Sequence, residues 1–180
     1  MQAETGSFLM AHPLLEDGNF SRSLVLMTHV GPDSCVGLIV NKLSAYTLDQ
    51  ALRGDWPEWP LYLGGPVSTD SLYYLHRRPD LIPNSELVLP GIYFGGDFDA
   101  LREAIDSEWL HPDDIQFMAG YSGWAEGQLA SELEEGSWVV AKGVVQSDWW
   151  QTHDAYRTLA QRWPDELKLW FNSPETPYWN

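Results

Sequence analysis

Two β-favouring apolar runs, residues 23–29 and 35–40, flank Gly31-Pro32-Asp33-Ser34, and that pattern constrains the fold more than any other in the chain. Gly, Pro, Asp and Ser favour turn geometry, so the two runs are expected to fold back on each other as an antiparallel hairpin. A hairpin brings its outer ends together, which would gather Ser21, Arg22, Asn41 and Lys42. Those cations read either as exposed edge charges that discourage strand addition or as a small cationic corner.

The rest of the chain mixes strands and helices. A short helix is expected over 47–53, with Thr47 as N-cap and Gly54 past its end, ahead of a Pro- and Trp-rich loop over 55–60. Strands are expected at 61–63, 71–76 and 86–89. Asp97 is placed to cap a helix reaching about residue 108, because Phe98, Leu101, Ile105 and Trp109 recur at helical spacing. A strand over 115–119 leads into Gly120-Tyr121-Ser122-Gly123, read as a strand-to-helix junction, with a helix over 124–135 stopped by Gly136. A strand over 137–141, a helix over 154–162 stopped by Trp163-Pro164, and an extended end over 174–180 complete the reading. No repeat or linker divides the chain. The expectation is one α+β domain over residues 1–180, with a mixed, largely antiparallel sheet flanked by helices.

Charge narrows the partners. Twenty-six acidic residues against ten basic ones give a net charge of −16. Duplex binding draws much of its affinity from Lys and Arg on phosphates, so direct nucleic-acid contact is disfavoured. The single Cys35 excludes an internal disulfide and suits a cytoplasmic protein; residues 1–16 lack the marks of a signal peptide. Apolar runs such as 36–40 are far shorter than a membrane span, so no membrane association is expected.

No motif completes a catalytic signature. Ser122 has Gly120 two residues before it but Trp124 two residues after, where a nucleophile elbow needs Gly. Gly120 and Gly123 then permit unusual backbone angles while Tyr121 and Trp124 pack, or else the N–H groups of a helix start hold an anion or polar ligand. Gly64-Gly65-Pro66-Val67 is a close-approach turn without the Lys-Ser/Thr of a P-loop. His12, His29, His76, His111 and His153 are dispersed and match no zinc spacing, so no metal site is expected, and His29 and His76 read as structural. Glu132, Glu134 and Glu135 read as the solvated end of a helix.

Together, Ala11-His12-Pro13-Leu14-Leu15 with Asp17 and Phe20-Ser21-Arg22-Ser23, then Val36-Gly37-Leu38-Ile39-Val40-Asn41-Lys42, Gly64-Gly65-Pro66-Val67, Leu75-His76, and Gly120-Tyr121-Ser122-Gly123-Trp124 with Gln128-Leu129, Glu132 and Trp138, resemble the bacterial YqgE/AlgH family in order and spacing. The resemblance implies a β-rich, partly barrel-like mixed sheet surrounded by helices, in bacterial cytoplasm, without an established biochemical activity. Some members carry a transcriptional-regulator label, which the charge argues against taking as DNA contact here. Members commonly have Ala in place of Ser122. This chain departs in Leu43, where Pro often follows Asn-Lys, and from about residue 144 it matches poorly; there Trp149, Trp150, Tyr178 and Trp179 are either core or interface residues.

The first functional reading is a non-enzymatic binding or regulatory protein for a small ligand or protein partner, with Arg22, Asn41, Lys42, Gly64, Gly65, Pro66, His76, Gly120, Tyr121, Gly123, Trp124 and Gln128 as candidate ligand-binding residues. No catalytic residue and no cofactor is assigned. The alternatives are an enzyme with a His-based acid/base site near the glycine turns and a regulator acting through direct DNA contact.

Overall fold

The computed structural model describes residues 2–15, 17–141, 149–150 and 155–160. Ten strands occur among them: β1 (Phe8–Ala11), β2 (Leu24–Val30), β3 (Ser34–Ile39), β4 (Leu43–Thr47), β5 (Pro60–Leu63), β6 (Val67–His76), β7 (Glu86–Leu89), β8 (Ile92–Phe94), β9 (Ile115–Ala125) and β10 (Trp138–Ala141). Four α-helices accompany them: α1 (Leu48–Ala51), α2 (Phe98–Asp106), α3 (Gln128–Glu134) and α4 (Ala155–Ala160). The strands form one mostly antiparallel sheet in the order β10-β1-β2-β3-β9-β6-β8-β7, with β4 on β5 and β5 parallel to β9.

β2 and β3 form the expected hairpin, Leu26 opposite Leu38, with a register shift between Met27 and His29. Successive side chains alternate between two buried faces. Phe8, Met10, Leu24, Leu26, Leu38 and Val40 join one cluster, while Leu9, Ala11, Val25, Met27 and Ile39 join another. Burial on both sides explains why these strands read as continuous apolar runs.

The first face curls onto itself. Phe8 and Leu26 share a cluster with Leu75, Val88 and Ile92 from the other end of the sheet. Gly6 lies so near β7 that a Cβ there would stand 2.5 Å from the Val88 carbonyl oxygen. No ladder joins β10 to β7 among the described residues, so the core is barrel-like while the sheet stays open. Trp149, Trp150 and α4 pack into this inner cluster. Of the two outer clusters, α3 covers one through Leu129, and α2 covers the other through Leu101, Ala104 and Ile105 against Leu61, Tyr74 and Phe117.

α2 begins where the sequence places it, with the Asp97 carboxylate accepting from the Ala100 N–H at 2.9 Å. Other elements differ. β9 runs straight through the glycines that read as a strand-to-helix junction, and the helix expected from residue 124 starts at Gln128. Thr47 closes β4, leaving only a four-residue α1 where a helix over 47–53 was expected. β1, β4 and β8 were not foreseen, and β6 starts at Val67 rather than 71. The helix expected over 154–162 is present as α4; its expected ends and the segment 174–180 lie outside the described residues.

β9 persists because both its edges are paired. β6 takes one, register Val67↔Tyr121 to His76↔Ile115, while the other passes from β5 (Leu63↔Ala119) to β3 (Gly37↔Ser122). At the handover the chain crosses itself at backbone contact. The Gly64 N–H donates to the Ala119 carbonyl at 2.8 Å, and the Gly64 carbonyl accepts from the Ile39 N–H at 2.8 Å and the Ser122 hydroxyl at 3.2 Å. A Cβ on Gly64 would stand 2.2 Å from the Gly120 carbonyl oxygen, against rigid backbone. Gly64→Ala is therefore expected to cost about 3 kcal/mol or more. Gly127→Ala, in open space at φ +73, should cost only about 1 kcal/mol. Urea denaturation midpoints test the contrast; equal losses would refute it.

Candidate functional site

Period-two alternation along β9 puts Gln116 on the same face as Met118, which belongs to the inner cluster. Tyr62 on β5 and Val40 beyond β3 pack on that cluster too. Together with Asn41, Trp149 and Trp150 they wall a cavity of about 660 Å³, with the exposed Leu43 and Pro60 on its open side.

Its polar groups set it apart. Gln116 is 6% exposed and its Oε1 has no hydrogen-bond partner; Trp149 is 4% exposed and its Nε1–H has none either. The neighbours are satisfied. Trp150 Nε1 donates to the Asp113 carbonyl at 2.8 Å, and Asn41 accepts from the Leu24 N–H at 2.7 Å while donating to the Arg22 carbonyl at 2.9 Å. The two indoles meet edge to face, centroids 5.3 Å apart, and Phe8 abuts Trp149 at 5.2 Å. Burial pushes the Tyr62 phenol up, so it stays neutral. An unpaired buried donor or acceptor costs stability, so both residues carry a local cost beside the cavity, with the two unpaired atoms themselves closed off from its space. A second cavity, about 700 Å³ between α3, β10 and the β2–β3 turn, is lined by Leu129, Leu133 and Cys35 among others.

The sequence candidates fall in four places. Asn41 lines the first cavity and pins the end of the hairpin. Lys42 donates to the Asn19 carbonyl at 2.7 Å, with burial lowering its pKa against the opposing pull of Asp17, and Arg22 sits at φ +54. β2 and β3 are interior strands, so neither cation guards a free edge of that hairpin. Gly64, Gly65 and Gly120 meet at the backbone crossing with Tyr121, next to Pro66 and Gly123; Ser122, fully buried, donates to Gly64. No helix starts there, so the alternative of a helix-terminus anion site at that turn does not apply.

His76 lies at the far end of β6, nine residues from Val67, roughly 30 Å at about 3.3 Å per residue. It is fully buried, with Nε2 3.0 Å from the Gly95 carbonyl, Nδ1 accepting from the Arg78 N–H at 3.2 Å, and the ring stacked near Tyr93. Both ring nitrogens are used, and burial holds the imidazole below its ordinary pKa.

Trp124 and Gln128 belong to a fourth cluster. Glu132, expected at a solvated helix end, accepts from the indoles of Trp124 at 2.8 Å and Trp138 at 2.7 Å and from the Gln128 amide at 2.9 Å. Phe20 stacks on Trp124 and meets Trp138 edge-on. The Gln128–Glu132 spacing of four residues was the available signal. Among the described residues, no three His, Cys, Asp or Glu side chains gather to hold a metal ion, and no helix is long and apolar enough to cross a membrane.

Comparison with known proteins gives a consistent family. The AlgH-like family model matches residues 8–168, well past the point near 144 where the resemblance thins. A UPF0301 protein of Chlorobium luteolum is 37% identical over 175 residues, covering 96% of this chain and 92% of the relative. One of Parabacteroides distasonis is 35% identical, covering 97% and 90%. The solution structure of the AlgH protein from Pseudomonas aeruginosa superposes with a TM-score of 0.62 at 26% identity, over 78% of this chain and 80% of that one. A crystal structure of a Corynebacterium diphtheriae protein shares the fold at a TM-score of 0.74 and 23% identity, over 96% and 94%. The chain belongs to the AlgH-like family.

Two outcomes follow from this geometry. Glu132→Leu strands two indole N–H groups and is expected to cost about 2 kcal/mol or more in chemical denaturation, whereas loss of a solvated glutamate would cost almost nothing. The His76 imidazole binds protons less tightly folded than unfolded, so the stability it confers is fully present above about pH 6.5 and is lost as pH falls through the lower folded pKa. The stability lead of the wild type over His76→Gln should therefore shrink between about pH 7 and 5; a constant lead would refute the buried neutral imidazole.

Proposed function

We propose that this AlgH-like chain is a non-enzymatic binding protein, regulatory in role and working in the cytoplasm, whose small ligand occupies the cavity between Val40, Tyr62, Gln116 and the Trp149–Trp150 pair. The observation that carries the reading is one cavity of about 660 Å³ whose described lining joins three aromatic side chains, Tyr62, Trp149 and Trp150, to the amide residues Asn41 and Gln116. Binding cavities of this size accept ligands of drug-like dimensions, with a few placed polar groups fixing orientation.

The chemistry of the walls favours holding over reacting. Among the described residues, Asp113 and Tyr62 are the ionisable side chains that line the cavity, and the Asp113 carboxylate is largely exposed beside His111. His76 loses its geometric support as an acid/base group, since its nitrogens are already bonded and the ring lies far from the glycine crossing. The net charge of −16 continues to weigh against direct contact with DNA. Asn41 is the sequence candidate that carries over, through its place in the wall.

Gln116→Met separates a binding role from a structural one. Removing an unpaired buried acceptor is expected to stabilise the ligand-free protein by about 1 kcal/mol. The same change should abolish the thermal shift that small neutral polar fragments give the wild type. A variant that is less stable and still responds to those fragments, or a wild type that responds to none, would overturn the proposal.

A further inference from the structure

The rings and the carboxylate on that cavity belong to one chemistry. Resting on the binding reading above, we infer that the cavity takes a quaternary ammonium group, the head of a small organic cation. Tyr62, Trp149 and Trp150 all line the space, and an aromatic face attracts a cation through its quadrupole. The chain already uses indoles in this way: the Arg77 guanidinium lies over Trp150 at 4.9 Å and that of Arg102 over Trp56 at 4.2 Å. Arg77 is not part of the lining, and the Asp114 carboxylate helps to hold its charge.

The rim carries charge of the matching sign. Asp113 lines the cavity with a side chain 80% exposed, so its carboxylate faces water at the edge of the space. His111 stands 3.4 Å away and forms a salt bridge with it only when protonated. The chain as a whole stands at −16, a field that draws cations in and repels phosphates and carboxylates. A quaternary head also suits the walls better than a primary amine does. A primary ammonium brings three donors, each needing an acceptor. The Asn41 amide is engaged by the Leu24 N–H and the Arg22 carbonyl, whereas a methylated nitrogen has no donor and needs only rings and apolar contact. Val40, Ile115 and the exposed Leu43 supply that contact beside the rings.

The test is isothermal titration of the full chain with choline and with dimethylbutanol, its uncharged carbon isostere. Choline should bind saturably and at least about tenfold more tightly than the isostere. Tyr62→Leu keeps bulk but removes a ring, so it should weaken choline about fivefold and leave the isostere unchanged, with Tyr62→Phe restoring the wild-type value. Asp113→Asn, an exposed change that spares the carbonyl bonded to Trp150, should weaken choline about two- to fivefold and flatten its salt dependence. Glycerophosphocholine separates the sources: binding at least as tight as choline's assigns a lipid headgroup, and weaker binding assigns the free cation. Choline affinity unchanged in both Tyr62→Leu and Asp113→Asn would overturn the inference, as would the isostere or propylamine binding as tightly as choline. Absence of choline binding where neutral fragments still bind would overturn it too, although the cavity would then remain a binding site. Failure of every fragment as well as the probes would remove the binding reading itself.

Discussion

The architecture hangs on one backbone contact, the passage of Gly64 and Gly65 across Gly120 to Ser122. There the Gly64 peptide is bonded on one side to Ala119 and on the other to Ile39, so the end of β5 is wedged between β3 and β9. Without that wedge β9 could not pass from β5 to β3 along one edge while holding β6 along the other. Everything on either side follows from it: the hairpin half with its two buried faces, and the half that carries α2. Side chains are excluded because two carbonyl groups occupy the space where a Cβ would go. The glycines thus serve the fold at that point, and the ligand reading moves to where side chains line a void.

That void inverts the usual relation between polar groups and stability. Asn41 and Trp150 show how this chain satisfies buried polar atoms when it needs to, each with a carbonyl or amide within 2.9 Å. Gln116 and Trp149 sit in the same wall without such partners. An apolar residue at either position would pack with less strain on the free-energy balance, and sites that violate local rules in this way are where function concentrates.

Much of the fold was legible in the residues. The hairpin and the Asp97-capped helix were, because a turn between β-branched runs and a 3.6-residue apolar period are local signals. β9 was misread past residue 119 because Gly120 and Gly123 look like punctuation, and only pairing on both edges keeps them in a strand. β1 and β8, four and three residues long, are too short to show a period. Of the candidate site, Asn41 was found through the hairpin geometry and Trp149 was read only as a core or interface residue, whereas Gln116 was not found: the three are far apart in the chain, and only tertiary structure makes them neighbours of one space. Glu132 was hidden differently. Its partners Trp124 and Trp138 come from strands on either side of α3, and among its acidic neighbours at 134 and 135 nothing marks it out.

The order in which this sheet can assemble has its own consequence. β1, near the start of the chain, is flanked by β2 and by β10, and its partner residues 138–141 lie some 130 positions downstream. The cavity waits longer still, since Trp149 and Trp150 supply part of its wall and Tyr156 ties their segment back to the Ala11 carbonyl at 2.7 Å. Such distant pairings are entropically slow to close. On a ribosome, the hairpin can form early, but β1 keeps one edge unpaired until most of the chain has been made, and the binding space comes into being last. A nascent or truncated chain would present that edge to its neighbours, which makes β10 a safeguard against misassembly, and Trp149 and Trp150 a wall that closes last.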